Sequence, residues 1–182
     1  MSAAPAFRAP AAPSASTPAF APRGPAAAQD WQFGFPARKR HIARARAVFT
    51  RWLEDRREPV VPLGVTESAV LLLSELAANA VVHADCPTSS GLVCRAALAP
   101  EAGWGAAGGG LLRIEVHDQA EHERVPRPRY GDSDEESGRG LCIVAALARE
   151  WGVRRSPLTR GNAVWATLSL PAGFDHGDLR HS

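Results

Sequence analysis

Residues 68–83 read Ser-Ala-Val-Leu-Leu-Leu-Ser-Glu75-Leu-Ala-Ala-Asn79-Ala-Val-Val-His83, an apolar run interrupted by a carboxylate and an amide one helical turn apart. At ~100° per residue, Ala69, Leu73, Leu76, Ala77 and Ala80 share one face, as a core helix requires. Glu75 and Asn79, spaced i, i+4, form a separate stripe that His83 continues. Leu72 and Val82 flank that stripe, so it does not sit on an ordinary solvated face. Polar groups on so apolar a helix cost free energy unless they have partners. Oxygen donors of this kind suit Mg²⁺, which takes a few protein oxygens together with phosphates and water. The bland alternative is the exposed edge of an amphipathic helix, and this stretch alone leaves both readings open.

Working outward, the helix is predicted over Leu63–Ala84, capped at Thr66 or a neighbour and stopped by Asp85-Cys86-Pro87. Upstream, Trp31-Gln32-Phe33-Gly34-Phe35 alternates as a half-buried strand does. Ala37–Arg57 follows as a basic amphipathic helix with Ile42, Ala45, Val48, Phe49, Trp52 and Leu53 at helical spacing. Downstream, Gly91–Leu98 and Leu111–Asp118 are predicted strands around a turn that carries Gly108-Gly109-Gly110. Gln119–Ser137 is charged and aperiodic, a loop long enough to imply function or mobility. Gly138–Glu150 is a predicted helix, and Trp151–Ser156 with Asn162–Leu170 a terminal hairpin. Hairpin-linked strands with grouped helices predict an α+β two-layer sandwich, with a mixed, mostly antiparallel sheet covered by helices on one face.

Two further elements carry chemistry. In Ile114-Glu115-Val116-His117-Asp118, alternation puts Asp118 at the end of a core-facing row. There its carboxylate can accept a hydrogen bond from an exocyclic amine such as adenine N6, or simply cap a turn. In Ser137-Gly138-Arg139-Gly140-Leu141, two glycines precede a helix, leaving backbone N–H groups and the helix dipole to face an anion. The run lacks the spacing of a dinucleotide fingerprint and of a Walker A loop.

Order and spacing together are more specific than any one piece. Glu75-xxx-Asn79-xxx-His83, then Asp118 after a strand, then Gly138-Arg139-Gly140 before a helix, resembles the N-box, G1-box and G2-box of the GHKL ATPases. Within that superfamily the phrases Ser74–Ala84, Arg139–Val144, Glu150–Val153 and Val164-Trp165-Ala166 are similar to the bacterial anti-sigma-factor serine/threonine kinases. The resemblance implies a Bergerat-type ATP-binding fold. It implies Mg²⁺ coordination by Asn79, a general base in Glu75 and adenine recognition by Asp118. Gly138, Arg139 and Gly140 would wrap the phosphates, with His83 and Leu141 as further nucleotide-binding positions and Gln119–Ser137 as a lid. It implies ATP as cofactor, phosphorylation of an anti-sigma-factor antagonist protein, a sigma factor as second partner and room for a homodimer. Three departures stand beside it. No glycine follows Asp118 within Gln119-Ala120-Glu121-His122, Ala163 stands where relatives often carry a threonine, and the loop is acidic at Asp132, Asp134, Glu135 and Glu136. They keep a second reading alive, a non-catalytic nucleotide- or protein-binding module.

Composition bounds the rest. The 182 residues divide into an Ala/Pro-rich tail over 1–28, expected to be disordered, a domain over 31–171 and a polar tail over 172–182. A net charge of +2 argues for neither nucleic acid nor an anionic membrane, and the basic helix Ala37–Arg57 reads as a solvated face. Three cysteines without a CxxC pair read as reduced thiols, and no signal peptide or membrane-spanning run is read, so the expected compartment is the cytoplasm. His83, His117 and His122 have no zinc-site spacing, and no G-x-S-x-G elbow supports a serine hydrolase.

Overall fold

The computed structural model describes residues 30–56, 60–83, 91–100, 109–119 and 139–171. The two tails, Gly138 and all of the long loop beyond Gln119 lie outside the described residues. Eight elements follow one another: β1 (Asp30–Pro36), α1 (Lys39–Glu54), α2 (Leu63–His83), β2 (Gly91–Pro100), β3 (Gly110–His117), α3 (Arg139–Leu147), β4 (Glu150–Arg155) and β5 (Asn162–Leu170). This is the predicted order.

The strands form one sheet in the order β1-β2-β3-β5-β4. All four pairings are antiparallel, so the mixed character expected of the sheet does not arise between neighbours. It survives only at a distance. β3 and β4 run the same way, joined by a crossover through α3, but β5 lies between them. A helical crossover is how same-sense strands must be joined, since a tight hairpin cannot do it.

One face of this sheet is apolar across its width. In register, Trp31, Ala96, Ile114, Ala166 and Trp151 make one row, and Phe33, Cys94, Val116, Val164 and Val153 the next. Ala69, Leu72, Leu73, Leu76, Ala77 and Ala80 of α2 are buried against these rows, with Ala45, Phe49 and Leu53 of α1 and Leu141 and Val144 of α3. Trp31 meets Phe49 at 4.9 Å between ring centroids and Trp52 at 6.2 Å, an aromatic cluster that fastens α1 to the edge strand. Leu63–Val82 is long and apolar enough by composition to cross a bilayer, contrary to the expectation that no run is. In the fold it is the central core helix.

Two boundaries differ from expectation. α2 starts at Leu63, and Thr66 is not its cap: it lies buried inside the first turn, its N–H bonded to the Pro62 carbonyl at 2.9 Å. α3 stops at Leu147, three residues before the predicted end at Glu150. Pairing of Glu150 with Thr167 and of Trp151 with Ala166 draws those residues into the sheet, where Trp151 completes a core row. Burial of an indole outweighs the small propensity gain of another helical turn.

The opposite face of the central strands is polar yet closed to solvent. Arg113, Glu115, His117 and Thr167 are all buried. Glu115 accepts from Arg113 Nε at 2.6 Å, from Arg154 Nη2 at 3.0 and 3.1 Å, and pairs with His117 Nε2 at 3.1 Å. Burial pushes the Glu115 carboxyl up, but hydrogen bonds from His117, Arg113 and Arg154 and the Arg113 charge outweigh it, holding the group well below the ordinary carboxylate range. The Arg113 guanidinium stacks 4.3 Å from the Trp165 ring centroid. Across from that indole stands Gly152, where a Cβ would lie 2.9 Å from a Trp165 ring carbon. The glycine in Glu150-Trp151-Gly152-Val153 is therefore the seat of the tryptophan in Val164-Trp165-Ala166.

On the apolar side, burial pushes the Cys94 thiol up to about 12, consistent with a packed, unreactive residue. Cys94 is a free thiol, and Cys86 lies outside the described residues.

Two substitutions test this arrangement. Gly152→Ala should destabilise the domain by about 1–3 kcal/mol in chemical denaturation, the cost of overpacking against a fixed ring. Glu115→Gln should cost about 3 kcal/mol near neutral pH, because it strips charge from a buried cluster. The folded Glu115 binds its proton less readily than the unfolded one. Its stabilisation is therefore complete above the unfolded carboxyl range, about pH 4.3, and is lost as pH falls toward the folded value. The stability gap between wild type and Glu115→Gln, read by urea titration, should narrow steadily between about pH 5 and about pH 3.

Candidate nucleotide-binding site

The polar stripe of α2 has a defined neighbour. Glu75 and Asn79 are half-buried, and both face Gly140 in the first turn of α3. A Cβ on Gly140 would fall 2.5 Å from Glu75 Oε2, 3.3 Å from Asn79 Nδ2 and 3.5 Å from Asn79 Oδ1. A side chain at position 140 would displace the Glu75 carboxylate and crowd the Asn79 amide, so the glycine does more than allow a turn. It lets the helix N-terminus approach a carboxylate and an amide that lie 65 and 61 residues upstream. Leu141, the next residue, is buried at 4 % exposure and anchors that approach in the core.

Among the described residues Asn79 Nδ2 is buried without a hydrogen-bond partner. A buried amide left so would cost ~1–3 kcal/mol, and native structures rarely tolerate this without a functional reason. An orphaned polar atom, a carboxylate and a glycine cradle at a helix N-terminus together fit a ligand that brings both anionic oxygens and a hard cation. The donor set suits Mg²⁺ with phosphate: Asn79 Oδ1 is the oxygen ligand at hand, and α3 offers backbone N–H groups. The side chains of His83 and Arg139 lie outside the described part of the structure, as does Gly138, so their expected contributions rest on the sequence resemblance.

Asp118 is positioned independently, at the edge where β3 ends and β5 begins. It is 8 % exposed. Its N–H donates to the Asn162 carbonyl at 2.9 Å, its Oδ1 accepts from the Asn162 N–H at 3.0 Å, and its carbonyl accepts from the Thr159 hydroxyl. The predicted core-facing row closes as expected, with Ile114 and Val116 buried before it. β2 begins at the same edge, since Val93 pairs with His117, and α2 leads into β2 from its His83 end. Asp118 and the Asn79–His83 end of the helix thus belong to one end of the domain by topology.

Two residues that motif reasoning passed over hold this edge. The Ser156 hydroxyl oxygen accepts from the N–H groups of Leu158 at 3.0 Å and Thr159 at 2.9 Å, closing the turn between β4 and β5. With both lone pairs so used, its proton is left for His117 Nδ1 at 2.9 Å, which places the ring proton on Nε2 toward Glu115. Ser156-Pro157 reads as a turn from sequence, but no spacing rule links Thr159 to a residue 41 positions earlier. Ala163, where a hydroxyl was missed in the sequence, is fully buried opposite His117. His117 itself points to the polar sheet face, away from α2.

No curated protein matches this chain. Residues 35–168, well over half of the chain, match the family of the histidine kinase-like ATPase domain. The match spans every element from the end of β1 to most of β5 and contains both halves of the site. The α+β fold, the order of its strands and this match agree: the chain belongs to the histidine kinase-like ATPase domain family, whose fold implies that it binds ATP.

Proposed function

We propose that the domain is an ATP-dependent serine/threonine protein kinase of the anti-sigma-factor type, acting in the cytoplasm on a small antagonist protein and holding a sigma factor as its second partner. The observation that carries the reading is the convergence of Glu75, Asn79 and Gly140. It brings together a carboxylate that would serve as base, an amide oxygen that would hold the cation and a helix N-terminus that would face the phosphates.

Phosphoryl transfer asks the protein chiefly for positioning and neutralisation of charge. Asn79 would hold Mg²⁺, which when bound would offset phosphate charge. Gly138, Arg139 and Gly140 would bind the phosphates through the N-terminus of α3. Asp118 would accept the adenine amine and so fix the other end of the nucleotide. Glu75 would take the proton of the incoming serine or threonine hydroxyl as its oxygen bonds to the γ-phosphorus and ADP leaves. The retention of a carboxylate at Glu75, within reach of Gly140, favours transfer over mere binding. A binding module that transfers nothing is the reading favoured by Ala163 in the place of a threonine and by the missing glycine after Asp118.

Calorimetry with Mg·ATP should show binding by the wild type that depends on Mg²⁺, and Asn79→Ala should lose the Mg²⁺-dependent part. No binding by the wild type at millimolar ATP would remove the kinase reading. With the unphosphorylated protein substrate in hand, Glu75→Gln should bind ATP but transfer its phosphoryl group about 10²–10⁴-fold more slowly. Equal transfer rates would take the proton from some group other than Glu75.

A further inference from the structure

The turn between β4 and β5 makes the most specific set of contacts to the candidate site outside the motifs, and those contacts run in one direction. Asp118 is clamped at three points by a four-residue stretch: its carbonyl by Thr159 Oγ1, its N–H by the Asn162 carbonyl, and its Oδ1 by the Asn162 N–H. Thr159 is itself held, its oxygen accepting from Gly161 N–H at 3.3 Å and its own N–H donating to Ser156. Ser156 in turn is locked by His117, the residue immediately before Asp118. The loop thus closes on itself. His117 fixes Ser156, Ser156 shapes the turn, and the turn fixes Asp118.

We infer that Thr159 and Ser156 are positioning residues for base recognition, holding the Asp118 carboxylate at the angle that accepts the exocyclic amine of adenine. The inference rests on the ATP-binding reading and deepens it by assigning how the base end of the site is set. A carboxylate placed only by its own backbone could rotate about its side-chain torsions. Here the Asn162 N–H fixes the plane of the carboxyl group, and the Thr159 hydroxyl fixes the peptide from which it springs. Among the described residues the hydrogen bonds of Thr159 and Ser156 go to His117, Asp118 and their own turn, and none to Glu75, Asn79 or Gly140. Their influence should therefore fall on the identity of the base and leave phosphate binding alone.

Inosine triphosphate, which lacks the amine, separates this from a general structural role. In competition calorimetry with Mg²⁺ present, the wild type should prefer ATP to ITP. Thr159→Val, which keeps shape and deletes the hydroxyl, should reduce that preference roughly three- to tenfold, the worth of one hydrogen bond. Thr159→Ser should restore it, Ser156→Ala should lower it in the same direction, and affinity for inorganic tripolyphosphate should stay unchanged throughout. A Thr159→Val protein with the wild-type ATP/ITP ratio overturns the inference, as does equal weakening of both nucleotides. Should Thr159→Val fail to fold, Ser156→Ala decides by the same ratio, an unchanged value overturning the inference. A wild type that binds ATP and ITP equally removes amine recognition by Asp118 altogether. A wild type that binds neither removes the ATP-binding reading beneath it.

Discussion

Everything in this domain depends on α2 serving two masters. One side of the helix must be apolar enough to cover a five-stranded sheet, and it is: Ala69, Leu72, Leu73, Leu76, Ala77 and Ala80 are all buried there. Along its flank run Glu75 and Asn79, which the same burial partly removes from water. α3 arrives with a glycine against these polar groups and so leaves the Glu75 carboxylate and the Asn79 amide in place. A single methyl at position 140 would meet the carboxylate at 2.5 Å. Among the described residues Asn79 Nδ2 has no partner, an unfavourable arrangement for a fold and one suited to ligand binding.

The sheet is similarly divided. Its helix-covered face supplies most of the hydrophobic stabilisation, whereas its central strands bury a charged cluster on the other side. Glu115 accepts there from Arg113, Arg154 and His117, and Trp165 gives the Arg113 guanidinium a surface to lie on. Buried ion pairs are rarely strong sources of stability, since desolvation consumes most of the attraction. What this cluster supplies is definition. It ties β3 to β4 across the intervening β5 and fixes the ring of His117, from which the turn that grips Asp118 is organised.

The fold was legible to an unusual degree because its patterns are strong and local. The aromatic alternation of Trp31–Phe35, the amphipathic Ala37–Arg57 segment and the apolar helix after it each announce themselves within a dozen or so residues. The element order follows. Boundaries were legible only where a local signal sets them. Thr66 looked like a cap because threonine often is one, but the chain turns into the helix at Pro62 and carries Thr66 into the core. Glu150 continues a helical pattern in sequence and yet begins a strand, because pairing with Thr167 is a contact the local pattern cannot contain.

Local sequence patterns account for the helices, the strands and the α+β class, and they single out the polar groups from which a nucleotide site is proposed. Spacing of 3.6 and 2 residues is a property of the chain, and so is the placing of glycine before a helix. Only the tertiary structure decided which of those groups meet. That Gly140 closes on Glu75 and Asn79, that Gly152 makes way for Trp165, and that Thr159 reaches back to Asp118 are long-range encounters. No periodicity encodes them, because each depends on how the sheet orders its strands and where the crossover through α3 sets its first turn.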